Sequence, residues 1–214
     1  MNGFTIKLLL TILLSTLLAG CSVFGDNNVE SAPYTLITSD NIENIEVRNY
    51  DSMILVSTSM SDDSGNSAFR KLFKYITGEN QGETEIAMTA PVIMDDKKTS
   101  KQGTEIAMTA PVFMNENADT PMMSFVMPKE FTLETTPKPT NPAVIVSEVK
   151  DYKVAAIQFS WTLSDSNVAE HTKVLENWLA ENGYTISGKA VKAGYNGPLT
   201  LPWFRKNEVL IEIK

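Results

Sequence analysis

The stretch Ile86-Ala-Met-Thr-Ala-Pro-Val-Ile-Met94 returns 20 residues later as Ile106-Ala-Met-Thr-Ala-Pro-Val-Phe-Met114, changed at one position. Each copy alternates. Ile86, Met88, Ala90, Val92 and Met94 fall on one side of an extended chain, and Ala87, Thr89, Pro91 and Ile93 on the other, which is the period of a strand. Pro91 and Pro111 have no N–H to give a ladder, so each belongs at an edge, a bulge or a strand end. The polar, Lys-containing stretch 95–104 between the copies suits a hairpin joining two neighbouring strands.

Upstream of the copies, Tyr34 to Ile37, Ile45 to Tyr50 and Met53 to Met60 read as strands, bounded by Asp51 and by Asp62-Asp63. The period then changes. Phe69, Leu72, Phe73 and Ile76 follow helical spacing within Asn66 to Thr77, and Gly78 stands where a C-terminal cap belongs. Downstream, Met122 to Met127 reads as a strand, and the segment from Pro128 through Pro137, Pro139 and Pro142 is too rich in proline for regular structure. The second half repeats the order, with strands at Val144 to Val149 and Lys153 to Trp161. A helix follows from about Asn167 to Glu181, closed by Asn182-Gly183, and then strands at Lys189 to Tyr195 and Glu208 to Ile213. Two halves of this form predict an α+β fold in which antiparallel strands merge into one curved sheet or distorted barrel with two helices packed on it.

Residues 1–20 carry Lys7, an apolar run from Leu8 to Ala19, and Leu18-Ala19-Gly20 ahead of Cys21, the one cysteine of the chain. This is the anatomy of a signal peptide, and its apolar run is shorter than the roughly 20 residues that span a bilayer. The cysteine directly after Gly20 resembles a bacterial lipoprotein signal, which implies acylation of Cys21. Ser22 in place of an aspartate implies the outer membrane, facing the periplasm. Residues 21–32 then read as a lipidated tether, with order beginning near Pro33 and one domain over 33–214. Cleavage removes one of 18 basic residues and none of 26 acidic ones, so the mature chain has a net charge of −9. That field disfavours nucleic acid, so the expected membrane attachment is the lipid anchor.

Four segments together resemble the SOUL family of haem-binding proteins. They are Phe69-Arg-Lys-Leu-Phe-Lys-Tyr-Ile76, the two Ala-Met-Thr-Ala-Pro-Val strings, Ser124-Phe-Val-Met-Pro128, and the closing run from Gly194-Tyr-Asn-Gly through Asn207-Glu-Val-Leu210. The resemblance runs from Tyr34 to Lys214. It implies a duplicated βαββ unit forming a distorted antiparallel barrel with two flanking helices, and reversible binding of haem or another tetrapyrrole in an apolar surface cleft beside the first helix. Phe69, Phe73 and Lys74 fall on helix positions where haem-binding members contact ligand, and Arg70 adds a second cation next to the aromatic stripe. A porphyrin needs both an apolar wall and cations for its propionates. Leu201 falls near a position that is basic in some members, a departure on the propionate side.

His171 is the single histidine, hence the one imidazole available as an axial haem ligand. Helical spacing puts it with Val168, Leu175 and Trp178, which equally describes a hydrogen-bonded residue at the edge of a core. Met88, Met94, Met108 and Met114 could ligate soft metals, but their places among Ile, Val and Ala favour core filling. The mature chain has no cysteine nucleophile once Cys21 is acylated, no glycine-rich phosphate loop and no G-x-S-x-G elbow, so the reading is a binder and not an enzyme. Two alternatives use the same barrel: an envelope scaffold that contacts another protein, and a sensor of other amphipathic small molecules.

Overall fold

The computed structural model describes residues 29–60, 65–82, 103–116, 120–197 and 199–214. The apolar leader, Cys21, most of the tether, the first copy of the duplicated strand and the pairs Asp62-Asp63 and Asp95-Asp96 lie outside the described residues. The strands are β1 (Glu30–Ser31), β2 (Thr35–Asp40), β3 (Ile45–Ser59), β4 (Thr109–Ala110), β5 (Val112–Asn115), β6 (Met122–Val126), β7 (Val144–Phe159), β8 (Val191–Gly194) and β9 (Asn207–Glu212). Helix α1 spans Asn66–Ile76 and α2 spans Asp165–Glu181.

β3 and β7 pair antiparallel from Ile45↔Ile157 to Thr58↔Val144. From β3 the ladder continues through β6, β5, β8 and β9 back to β7, which closes a six-stranded antiparallel barrel, while β2 lies on the remaining edge of β3. The two long strands replace the four shorter ones predicted from the breaks at Asp51 and Asp151. Each aspartate is carried through because the opposing strand is just as long and keeps one register across it. Asp151 absorbs the local distortion with φ 49°, a left-handed conformation that Asp tolerates. The inward-facing parity changes there, so Tyr50 and Tyr152 share the interior with Met53, Leu55 and Val149. The halves also repeat in sequence at this point, as Glu46-Val-Arg-Asn-Tyr50 and Glu148-Val-Lys-Asp-Tyr152. The two tyrosines face each other across the ladder with ring centroids 6.2 Å apart.

Both helices form where their spacing predicts. Gly78 (φ 112°) follows α1 and Gly183 (φ 75°) follows α2, each in a backbone region that a side chain disfavours. Ser164 caps α2 by accepting from the Asn167 N–H. α1 buries Ala68, Leu72, Tyr75 and Ile76 against Ile54, Val56, Met123 and Phe125 on one outer face of the barrel. α2 buries Val168, Leu175 and Leu179 against Ile45, Val47, Ile157, Val209 and Ile211 on the other.

The second copy of the duplicated strand is interrupted at Pro111, which follows a cis peptide bond and separates β4 from β5. β5 pairs with β6 on one edge and β8 on the other, so both of its ladder edges are occupied; the hairpin expected between the two copies falls on residues outside those described. The predicted alternation nevertheless carries across the interruption, since Ile106, Val112 and Met114 all join the α1 cluster. Phe113 points into the barrel, Val112 and Met114 pack toward the α1 cluster, and Met108 is exposed rather than filling the core. Order begins earlier than Pro33, because Glu30–Ser31 pairs in parallel with Thr109–Ala110 and Ala32 is buried. Among the described residues no helix is long and apolar enough to cross a membrane.

The two faces of α1 differ in what they hold. Leu72→Ala empties a fully buried site and is expected to cost about 2–5 kcal/mol in urea unfolding. Phe73→Ala removes a ring that is 43% exposed and should cost about 1 kcal/mol or less.

Candidate functional site

Phe69 and Phe73 lie one turn apart on the outer face of α1, stacked at 6.0 Å between centroids and 14° between planes. They are 39% and 43% exposed, so core packing does not account for the pair. Phe69 is steadied from below by an edge contact with Phe125 of β6 at 5.4 Å. Arg70 and Lys74 flank the rings. Arg70 donates through Nε to the Asn66 carbonyl, and Lys74 pairs with Glu79 at 3.2 Å, with both side chains at least half exposed. A surface pair of this kind contributes little, about 0–1 kcal/mol, and an incoming anion can displace it. The proline-rich loop holds the C-terminal end of α1, where the Tyr75 hydroxyl donates to the Pro137 carbonyl at 2.7 Å and Asn80 bridges to Pro139. It leaves the aromatic stripe open.

His171 is elsewhere. Its ring stacks on Phe159 at 4.1 Å, and Nδ1 lies 2.7 Å from the Asn167 carbonyl one turn back on α2. Phe159 belongs to the core beneath α2, not to the one beneath α1. The predicted set therefore divides: Phe69, Arg70, Phe73 and Lys74 share one helix face, whereas His171 is the core-edge residue its helical spacing also described. Among the described residues no cluster of three or more His, Cys, Asp or Glu could hold a metal ion.

The barrel interior holds two features that sequence reading missed. At one end, Arg48 on β3 donates to both carboxylate oxygens of Glu208 on β9 at 2.8 Å each, and Glu208 is fully buried. Tyr195 donates to the same carboxylate at 2.6 Å, and Arg48 also reaches Glu46 at 2.7 Å. Burial works to raise the Glu208 pKa, but the hydrogen bonds and charge of Arg48 outweigh it and hold the carboxyl below its ordinary value. Burial pushes Tyr50 and Tyr152 up to about 12. The signal available in sequence was Arg48 itself, a cation at an inward position between Val47 and Tyr50.

At the other end is a cavity of about 660 Å³. Met53, Leu55, Phe113, Met122 and Val149 supply its apolar wall. Ser57 and Ser124 also line it, with their hydroxyls 2.7 Å apart. Asn115 completes the wall with a buried Oδ1 that has no hydrogen-bond partner. The cavity exists because inward positions here carry serines, where the opposite end carries arginine, glutamate and tyrosine.

The family model described as SOUL heme-binding protein matches residues 29–102 and 96–212, and each range contains one copy of the duplicated strand. The Homo sapiens protein Heme-binding protein 2 is 30% identical over 169 residues, covering 77% of this chain and 75% of that protein. Among solved structures, a hydrolase from Listeria innocua superposes with a TM-score of 0.54 at 11% identity, over 80% of this chain and 92% of that one. The EcmrR C-terminal domain gives 0.50 at 11% identity, over 85% and 98%. At such identities the two structures show a shared fold and nothing of ligand or activity.

Breaking the interior ion pair from one side should be far worse than removing it. Arg48→Met leaves a buried, unpaired carboxylate and is expected to cost about 3–5 kcal/mol, with much of the loss recovered in Arg48→Met/Glu208→Leu, both read from urea midpoints. The pH dependence has two limbs. The Glu208 contribution is complete above the unfolded carboxylate pKa of about 4.3 and is lost as pH falls through its lower folded value. From pH 10 to about 12, Tyr50 and Tyr152 ionise in the unfolded chain but stay protonated in the folded one, so stability should fall across that window.

Proposed function

We propose that this chain, which belongs to the SOUL haem-binding protein family, binds haem or a related tetrapyrrole reversibly on the outer face of α1 and does no chemistry on it. The observation that carries this reading is the stacked, exposed Phe69–Phe73 pair flanked by Arg70 and Lys74. A flat macrocycle laid against two phenyl rings covers apolar surface that otherwise faces water, at about 25 cal/mol per Å². Its propionates would meet the two cations in charge-assisted hydrogen bonds. The donor set fits the periphery of the macrocycle rather than its metal. The one imidazole of the chain, His171, belongs to the α2 core, so holding the group falls to aromatic and cationic contacts. What haem itself supplies when bound is its iron and its conjugated ring; the protein's part is to hold it loosely enough to release.

We further infer that the domain works in the periplasm as a lipoprotein anchored through Cys21, on the support of the apolar leader ending in Leu18-Ala19-Gly20 before that cysteine. In that setting a reversible site suits a carrier or a buffer. The openness of the α1 stripe favours a ligand over the scaffold alternative, which wants that face covered.

Titration of the chain from residue 22 onward with ferric haem, followed at the Soret band, should show saturable one-to-one binding. Phe69→Ala/Phe73→Ala should weaken it at least about tenfold with an unchanged circular dichroism spectrum, a loss of roughly 1.4 kcal/mol. His171→Ala should leave the Soret spectrum as it is. Unaltered affinity in the double variant would remove α1 as the site.

A further inference from the structure

We propose that the interior cavity is a second binding site, separate from the α1 face, for an uncharged elongated amphiphile carrying one hydrogen-bond donor, such as a long-chain or aromatic alcohol. The two sites lie on opposite sides of β5. Phe113 and Asn115 look into the barrel, while Val112 and Met114 pack toward the α1 cluster. A cavity of about 660 Å³ is the size of a small-molecule site. Its floor along β3 from Met53 to Ser57 spans about 13 Å, by the rise of a strand, which accepts a fused ring pair or a medium alkyl chain.

The polar groups of the wall narrow the chemistry of the guest. Ser57 and Ser124 pair with each other at 2.7 Å. Asn115 Oδ1 is left as the one buried side-chain N or O atom without a partner among the described residues. A buried acceptor in that condition costs about 1–3 kcal/mol, which a donor on the guest would recover. The charged lining groups, Lys189 and Glu212, are exposed and opposite in sign, so the depth of the cavity presents no counter-charge. An ion entering would lose its hydration without replacement, and a neutral guest avoids that loss.

Calorimetric titration of the full chain with 1-naphthol and with 1-methoxynaphthalene, which keeps the rings but has no donor, tests this. One-to-one binding of 1-naphthol at least about tenfold tighter than its ether is expected, the equivalent of roughly 1.4 kcal/mol. Asn115→Leu should erase that preference by weakening the alcohol alone. Ile145→Trp, placed at an exposed position of the lining, should block both compounds yet leave the haem titration unchanged. Phe69→Ala/Phe73→Ala should leave both naphthalenes binding as in wild type, so the two sites can fail independently. Equal affinity of the two compounds for wild type would overturn the proposal, as would undiminished binding by folded Ile145→Trp or competition between haem and 1-naphthol. Should Asn115→Leu not fold, the wild-type comparison and Ile145→Trp decide the matter alone.

Discussion

The antiparallel pairing of β3 with β7 is the constraint on which the remaining structure depends. It holds one register over the whole overlap, from Ile45↔Ile157 to Thr58↔Val144, and every other strand of the barrel attaches to one of these two or to a neighbour already attached. The inward parity changes at Asp51 and Asp151. Each long strand therefore serves three surfaces: Ile45 and Val47 face α2, Ile54 and Val56 face α1, and Tyr50, Met53 and Leu55 face the interior. Without the change of parity, one helix would lose its apolar platform, since a one-residue offset in a strand sends its whole side-chain set to the opposite face.

The interior inherits an asymmetry from this arrangement. Where the halves bring Arg48, Glu208 and Tyr195 together, the barrel is filled by a bidentate ion pair whose carboxylate also accepts from Tyr195 and lies 3.4 Å from the Lys206 ammonium. Where they bring serines together, space remains. A buried pair of this kind adds little net stability over apolar packing, but it tolerates no partner loss and so defines which residues may meet. The α1 face is governed by different physics. There the helix has more apolar residues than the sheet can cover, and Phe69 and Phe73 are the surplus, supported by Phe125 yet open to solvent. Exposed aromatics beside cations on a rigid helix suit recognition better than stability.

Much of the architecture was legible along the chain because local rules and tertiary demands agree there. Helical spacing and terminal glycines placed both helices to within about two residues, and the proline-rich stretch was recognisable as irregular. The misreadings share a cause. Asp51 and Asp151 look like strand ends by composition, yet a long partner strand carries them through. Pro111 was placed at an interruption and Phe113 lies opposite Val112 and Met114 as alternation requires, but the exposure of Met108 depends on the path of the backbone and not on residue type. Both edges of β5 are taken by strands distant in sequence, a pairing that no local pattern in the duplicated strand announces.

The candidate site divides in the same way. The order of residues on α1 determined that Phe69, Arg70, Phe73 and Lys74 share a surface, because 3.6 residues per turn makes neighbours of positions three and four apart. Whether that surface faces the core or water was decided only by how the helix rolled onto β3 and β6, where Leu72 and Tyr75 took the buried side. His171 was equally suited by spacing to a ligand or to a core edge, and its contact with Phe159, 12 residues away along the chain, settled its surroundings. The cavity, the partnerless Asn115 oxygen and the Arg48–Glu208 pair had no local signature, since each is made by strands that meet only when the barrel closes. Periodicity and composition therefore determined the elements and the polarity of their faces, which are properties of short segments. The closed barrel decided what those faces enclose, because enclosure depends on contacts between residues as far apart as 48 and 208.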